Sequence, residues 1–212
     1  MAVMFSDGIE IRRVSTAPYN NNCYVLVCRE SKESVIIDAP SEPERVLAEA
    51  ATSKVVAIVT THCHMDHVLG LVELQRATGA PVAVHPAEAD RLPLRSEKEL
   101  VHHGSFRFGT IALKTIHVPG HTPGGIAFLY EKHLFSGDSL FPNGPGKTQS
   151  PRDFRQLVKN LQERIFTLPD DVLVYPGHGE STVLGAEKEQ FRVFSHRPHR
   201  PDLCGDVLWL KD

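Results

Sequence analysis

The 212-residue sequence has little cysteine and no excess of positive charge. Lysine and arginine number 23 against 26 aspartates and glutamates, so the formal net charge is −3 and no basic field favours nucleic acid. The cysteines are too few and too irregularly spaced for a disulfide scaffold. They stand at positions 23, 28, 63 and 204. We therefore expect reduced thiols and no nucleic-acid partner.

Long apolar runs are also missing. No stretch approaches the roughly 20 apolar residues that a helix needs to cross a bilayer, and the first residues lack the pattern of a signal peptide. These absences predict a cytoplasmic protein without a membrane partner. Apolar residues make up 41% of the chain and charged residues 23%, which is typical of a globular protein. The length fits a single domain over residues 1–212.

What the sequence does have is histidine, in 12 copies. The heptapeptide Thr-His-Cys-His-Met-Asp-His follows a continuous apolar run over residues 55–59, which predicts a buried strand. Side chains alternate along a strand, so His62 and His64 can point the same way and share one ion. Asp66 and His67 follow at the bend into the next helix and can serve a neighbouring ion. Imidazole and carboxylate ligands suit zinc, manganese or iron.

Three more ligand-type side chains follow predicted strands. His121 lies in the turn Pro-Gly-His-Thr, Asp138 lies in Ser-Gly-Asp-Ser, and His178 lies in Pro-Gly-His-Gly. Glycine and proline fix tight turns, which allow a backbone to approach a metal closely. Each signal is weak alone, but together with the heptapeptide they make a set of four ordered motifs.

The predicted elements alternate between strands and helices along the chain. A first group of strands precedes a helix capped by Ser41, and the strand over residues 55–59 precedes a helix over 68–77 that Gly79 ends. Later strands precede a helix that begins at Pro151 behind Ser150. Such an order predicts an α/β fold in which helices flank two mixed β-sheets, an αββα sandwich.

The four motifs together resemble those of the metallo-β-lactamase superfamily, most closely its glyoxalase II-like branch of hydroxyacylglutathione hydrolase-like enzymes. Compact bacterial members of that branch share the short form seen here, in which Thr182, Gly185 and Glu187 follow Pro-Gly-His-Gly. The resemblance covers roughly residues 22–187 and implies the same αββα fold and two divalent ions, zinc first, with iron or manganese as alternatives. The implied ligands are His62, His64 and His121 for one ion, Asp66, His67 and His178 for the other, and Asp138 as the bridge.

The resemblance also implies a mechanism. Two neighbouring divalent ions create a bridging hydroxide near neutral pH, and this hydroxide attacks a carbonyl carbon. Asp66 is then the catalytic residue that orients the hydroxide and handles its proton. We expect a binuclear thioesterase that cleaves S-lactoylglutathione or a related acyl-thiol. A lactone or a β-lactam is an alternative substrate, because ring opening passes through the same tetrahedral oxyanion.

Substrate recognition is predicted from the segment that follows Asp138. This segment looks like a loop in which glutathione thioesterases use a lysine to bind a carboxylate, so Lys147 is a candidate substrate contact. We expect a small-molecule substrate and a monomer or small homo-oligomer. The alternative from another class is an iron-dependent persulfide dioxygenase, whose mononuclear iron would be held by His62, His121 and Asp138. Pro-Gly-His-Gly and the sequence Lys-Thr-Gln after Gly146 favour the hydrolase.

Overall fold

The computed structural model describes residues 2–6 and 8–211, and a seven-stranded sheet occupies the first half of this chain. Antiparallel pairing joins its first four strands in a meander, and parallel pairing joins the last four. The strands lie in chain order: β1 (Ala2–Ser6), β2 (Ile9–Thr16), β3 (Asn21–Cys28), β4 (Glu33–Ile37), β5 (Lys54–Val59), β6 (Val82–Val84) and β7 (Lys98–Glu99).

A six-stranded sheet occupies the second half. Its spatial order is β15, β14, β11, β10, β9, β8, with parallel pairing only between β11 and β14. The strands are β8 (Ser105–Phe108), β9 (Ile111–His117), β10 (Ile126–Tyr130), β11 (His133–Gly137), β14 (Leu173–Pro176) and β15 (Thr182–Val183); β12 (Leu140–Phe141) and β13 (Gly144–Pro145) pair separately. Both large sheets are mixed, as predicted.

The two sheets pack face to face through one apolar layer. Ile11 and Leu26 of the first sheet are fully buried in the same cluster as Phe128 and Phe135 of the second. The ring of Tyr24 meets that of Phe135 edge to face, with 5.1 Å between the centroids. Full burial of each such apolar side chain stabilises the fold by about 1.5–3 kcal/mol. This layer fixes the strand ends relative to one another.

Helices cover the outer faces and complete the predicted αββα sandwich. They are α1 (Pro43–Ala50), α2 (Met65–Val68), α3 (Leu71–Thr78), α4 (Pro151–Asn160) and α5 (Leu184–Ser195). The predicted start of α4 is confirmed, because Ser150 Oγ accepts a hydrogen bond from the backbone N–H of Asp153 at 3.2 Å. Among the described residues no helix is long and apolar enough to span a membrane.

Two predicted helix details are wrong. Ser41 does not cap α1; its hydroxyl donates to the backbone oxygen of Ala17, and Glu42 precedes the helix in a left-handed conformation. The helix predicted over residues 68–77 is two helices, α2 and α3, that meet at Gly70. A side chain at Gly70 would clash with the backbone oxygen of Pro40, so the chain comes very close to its neighbour at this point. Gly79 ends α3 with φ 65°, as predicted.

Candidate metal centre

The first group of histidines lies where β5 and β9 end. His62 and His64 follow β5, and His121 follows β9 in the turn that leads to β10. Nδ1 of His64 lies 3.1 Å from Nε2 of His62 and 2.9 Å from Nε2 of His121. Cys63 is buried in an apolar cluster and does not belong to this group. Three imidazole nitrogens thus converge on one point.

A second group lies beside the first. Nε2 of His67 lies 3.1 Å from Nε2 of His178, and Oδ2 of Asp66 lies 3.3 Å from the same nitrogen of His178. The helix α2 carries Asp66 and His67, while His178 follows β14 in the second sheet. One site therefore depends on the packing of both sheets.

Asp138 lies between the two groups. Its Oδ2 is 3.6 Å from Nε2 of His121 and 3.4 Å from Nε2 of His178, and its Oδ1 is 3.4 Å from Nε2 of His67. Oδ1 is buried and accepts no hydrogen bond from the described residues. An orphaned buried carboxylate oxygen is costly unless something binds it. Its position between the groups fits a ligand shared by two cations.

Hydrogen bonds on the outer side of the rings decide which nitrogens face inward. Nδ1 of His67 lies 2.9 Å from Oδ2 of Asp38, that of His121 lies 2.7 Å from the backbone oxygen of Lys147, and that of His178 lies 2.9 Å from the backbone oxygen of Tyr19. An oxygen without a proton can only accept, so each Nδ1 carries the hydrogen. In the neutral form of each ring, Nε2 then presents a lone pair to the centre.

The converging lone pairs form a donor set suited to divalent cations. Two imidazole nitrogens 2.9–3.1 Å apart cannot hydrogen-bond to each other if both are acceptors. A cation placed between them can bind the lone pairs of both. Five imidazoles and two carboxylates suit zinc, manganese or iron. The structure groups all seven predicted ligands, with ligand atoms within 4.8 Å of one another in each of three sets. The sets are His62, His64 and His121; His62, His67 and Asp138; and Asp66, His67 and His178.

Burial and neighbouring carboxylates set the charges in the centre. Burial, reinforced by the other imidazoles, lowers the pKa of His62 well below its ordinary value, and burial also lowers the pKa of His64. Burial acts downward on His67 too, but Asp138 and Asp38 outweigh it and raise the pKa of that imidazole. Burial alone would raise the pKa of Asp138, yet the imidazoles, His67 first, hold it well below its ordinary value. Asp138 is therefore an anion at neutral pH, ready to bind cations.

Comparison with known families agrees with this donor set. A family model described as the metallo-beta-lactamase superfamily matches residues 16–178, which include all seven ligand-type side chains. The chain belongs to the metallo-beta-lactamase superfamily. Membership, together with the histidine and aspartate clusters, implies divalent metal ions.

Relatives within the metallo-beta-lactamase superfamily differ in their reactions. The hydroxyacylglutathione hydrolase GloC of Haemophilus influenzae is 29% identical over 208 residues, which cover 85% of this chain and 95% of GloC. The human mitochondrial persulfide dioxygenase ETHE1 is 35% identical over 197 residues, which cover 82% of this chain and 70% of ETHE1. A crystal structure of TTHA1623 in a di-iron-bound form has a TM-score of 0.70 and 31% identity, and the match covers 84% of this chain and 96% of that one. Family membership therefore leaves both the reaction and the metal open.

Asp38 supports the superfamily centre from outside it. This buried carboxylate accepts hydrogen bonds from the backbone N–H of Thr61 at 2.7 Å and from the Thr61 hydroxyl at 2.8 Å, and it faces Nδ1 of His67. Asp38 therefore ties the start of the histidine loop to His67. A carboxylate in this position orients the imidazole and strengthens it as a ligand.

Replacing Asp38 by asparagine should weaken the Asp66, His67 and His178 site. We expect metal affinity there to fall by about 10- to 100-fold, because the amide cannot match the carboxylate as an acceptor for Nδ1 of His67. A titration against a competing chelator measures the two binding steps separately. Asp90→Asn, an exposed change outside the centre, is the control. If the Asp38 variant weakens both metal-binding steps equally, or weakens neither, Asp38 does not act through His67 on one site.

Two residues near the centre were not identified from the sequence. Asn21 donates through Nδ2 to Oδ2 of Asp66 at 3.0 Å. Glu88 is fully buried and accepts backbone N–H bonds from Cys63 at 3.2 Å and Gly124 at 2.8 Å, so it ties together the loops that carry His64 and His121. The run of three asparagines at the start of β3 was a signal for Asn21, but nothing in the local sequence marks Glu88.

Gly177 allows the backbone to pass close to the side chains of the second group. A side chain at this position would clash with Oδ1 of Asp138, and its Cβ would lie 2.7 Å from Cε1 of His67. The glycine of Pro-Gly-His-Gly is thus needed because the backbone before His178 passes directly over two ligand-type side chains.

Lys147 lies on the wall of a cleft beside the centre. This cleft of about 270 Å³ is also lined by His121, Asp138 and Phe141. The lysine side chain is 59% exposed, and its Nζ lies 3.8 Å from Oδ2 of Asp206. The structure therefore places Lys147 within reach of a molecule bound at the centre, next to a carboxylate that offsets part of its charge.

Proposed function

We propose that this protein is a binuclear metallohydrolase that cleaves the thioester bond of an acyl-thiol such as S-lactoylglutathione. The observation that carries the proposal is the position of Asp138, whose carboxylate lies between two complete groups of ligand-type side chains. The two groups together offer enough ligands for two ions. The identity with a hydroxyacylglutathione hydrolase over nearly its whole length supports the same reaction. Zinc is the proposed metal, with iron or manganese as alternatives.

The residues at the centre have separate proposed roles in hydrolysis. Two divalent ions held by the seven ligands would lower the pKa of a shared water to about 7 and polarise the thioester carbonyl. Asp66 has one oxygen held by Asn21, while its other oxygen has no hydrogen bond to the described residues. A free carboxylate oxygen at this centre could orient the attacking water and take its proton. We therefore propose Asp66 as the catalytic carboxylate.

Lys147 is the proposed substrate contact on one side of the centre. Phe141 and Leu208 form apolar walls of the same cleft, so the cleft offers a cation beside apolar surface. A flexible ammonium group binds a carboxylate or a carbonyl oxygen without demanding one geometry. The lysine would thus help to hold an acyl-thiol against the two cations.

A persulfide dioxygenase is the second candidate. Human ETHE1 is 35% identical over 82% of this chain, a higher identity than that of GloC. The proposed mononuclear triad of His62, His121 and Asp138 is also present at the centre, and it suits iron. This reaction would need oxygen and a persulfide, whereas hydrolysis needs neither.

Metal content and anaerobic turnover on the same sample separate the two functions. Protein purified without chelator should hold about two divalent ions per chain and hydrolyse S-lactoylglutathione without oxygen. Asp66→Asn, assayed with saturating metal in the buffer, should lower kcat at least about 100-fold. One iron per chain, no anaerobic hydrolysis, and oxygen uptake only with glutathione persulfide would contradict the proposal and favour the dioxygenase. If the protein holds two ions but hydrolyses only lactones or β-lactams, the proposed thioesterase reaction is wrong and the proposed binuclear hydrolase stands.

A further inference from the structure

A second cleft opens at the metal centre, separate from the one beside Lys147. Its volume is about 470 Å³, and its walls include both His64 and His121 of the first ligand group. The remaining walls come from the end of the helical turn Pro86–Arg91, from the turn around His121 and from the first half of α4. A molecule in this cleft therefore reaches the reaction centre directly. Clefts of roughly 300–1,000 Å³ are the usual size for small-molecule sites.

Two guanidinium groups give this cleft its charge, and we call it the arginine cleft. Arg152, in the first turn of α4, has no ion pair or hydrogen bond with the described residues. Arg91 is half exposed, and its one ion pair is a long contact of 3.8 Å with Glu88. The oxygens of Glu88 already accept backbone hydrogen bonds from Cys63 and Gly124. Both arginines are thus available to an incoming anion.

Among the residues that line the arginine cleft, cationic side chains outnumber carboxylates, although Glu88 behind Arg91 offsets part of the charge of that arginine. Asp153 is the one carboxylate among the described residues that line it, and the hydroxyl of Ser150 donates to Oδ2 of Asp153 at 2.7 Å. Gln149 and Gln156 add neutral amides. The cleft beside Lys147 has the opposite balance of charge, because the carboxylates of Asp138 and Asp206 line it together with one lysine. Of the two clefts, the arginine cleft is the larger and the more favourable for an anion.

We propose that the arginine cleft binds the thiol carrier of the substrate, and that Arg91 and Arg152 bind carboxylates on that carrier. Guanidinium groups pair with carboxylates through two parallel hydrogen bonds, which selects for that group by shape as well as by charge. The chemical class of the substrate is then a thioester whose carrier is anionic. This assignment rests on the proposed thioesterase function and goes beyond it, because it says which side of the centre holds the carrier.

Direct binding tests the assignment without turnover. The probe is S-methylglutathione, which has two carboxylates and no free thiol, titrated calorimetrically into the metal-loaded protein. We expect Arg91→Gln and Arg152→Gln each to raise the Kd by about tenfold, since each removes one charged contact. Lys159→Gln on the same helix makes the same change of charge at an exposed position outside the cleft, and it should leave the Kd unchanged.

Kinetics give the second readout. The substrates are S-lactoylglutathione and the neutral lactoyl thioester of N-acetylcysteamine. We compare kcat/KM for S-lactoylglutathione with kcat/KM for the neutral thioester. Each arginine variant should lower this ratio by about tenfold, mainly because the KM of the anionic substrate rises. A merely structural change would lower both values together and leave the ratio unchanged.

The outcomes separate this inference from the proposed function. If Lys147→Gln weakens S-methylglutathione binding and the arginine variants do not, the carrier lies in the other cleft and the inference is wrong. Absence of any S-methylglutathione binding by the unaltered protein would overturn it as well. If the unaltered protein binds S-methylglutathione through the arginines but hydrolyses neither thioester, the thioesterase function fails while the anion site stands.

Discussion

Replacing Asp138 by asparagine should empty the metal centre and lower hydrolysis at least about 1,000-fold. The carboxylate lies 3.4–3.6 Å from Nε2 of His67, His121 and His178. Asparagine has nearly the same volume, but it removes the negative charge shared by both groups and puts an amide N–H or a neutral oxygen in its place. Because both groups depend on this one side chain, the two ions should be lost together and not one at a time.

Elemental analysis after desalting, with activity measured on the same sample, checks this expectation. Far-ultraviolet circular dichroism should show that the asparagine variant remains folded. Asp202→Asn, at a 72% exposed side chain far along the sequence, is the matched control and should keep both ions. Retention of two ions and full activity in the Asp138 variant would show that this carboxylate is not the bridging ligand.

Most of the ligand-type residues could be singled out from the sequence because they follow predicted strands. His62 and His64 follow an apolar run that predicts a buried strand, and His178 follows another predicted strand. The fold then brings these ends to one edge of the sandwich without help from any single local signal. The αββα architecture was predictable for the same reason, since alternating apolar segments dictate which faces must be covered.

The missed features depend on contacts between distant parts of the chain. Glu88 binds loops that lie 25 and 36 residues away, and Asn21 reaches a side chain 45 residues away. The break between α2 and α3 is also a tertiary effect, because the backbone of Pro40 lies against Gly70. Local spacing cannot reveal such contacts. The same limit applies to Arg91 and Arg152, which share a cleft only after the chain has folded.

The C-terminal segment has no sequence pattern that predicts a helix or a strand, but it packs against the rest of the fold. The sequence predicts no helix or strand after α5, yet Trp209 is fully buried there. Its ring packs edge to face on Phe191 and Phe194, each with 5.1 Å between the centroids. Its backbone N–H donates to the oxygen of Asn143 at 2.8 Å. One side chain thus anchors the tail to α5 and to the loop after β12.

Replacing Trp209 by alanine should lower the free energy of unfolding by about 3–5 kcal/mol, because it leaves a cavity between two aromatic rings. Chemical denaturation followed by far-ultraviolet circular dichroism measures the loss. Leu210→Ala, at a half-exposed neighbour, should cost less than about 1 kcal/mol. Val207 and Leu208 line the cleft beside Lys147, so release of the tail should also open that cleft. A Trp209→Ala variant as stable as the Leu210 control would mean that the tail does not dock as the structure shows.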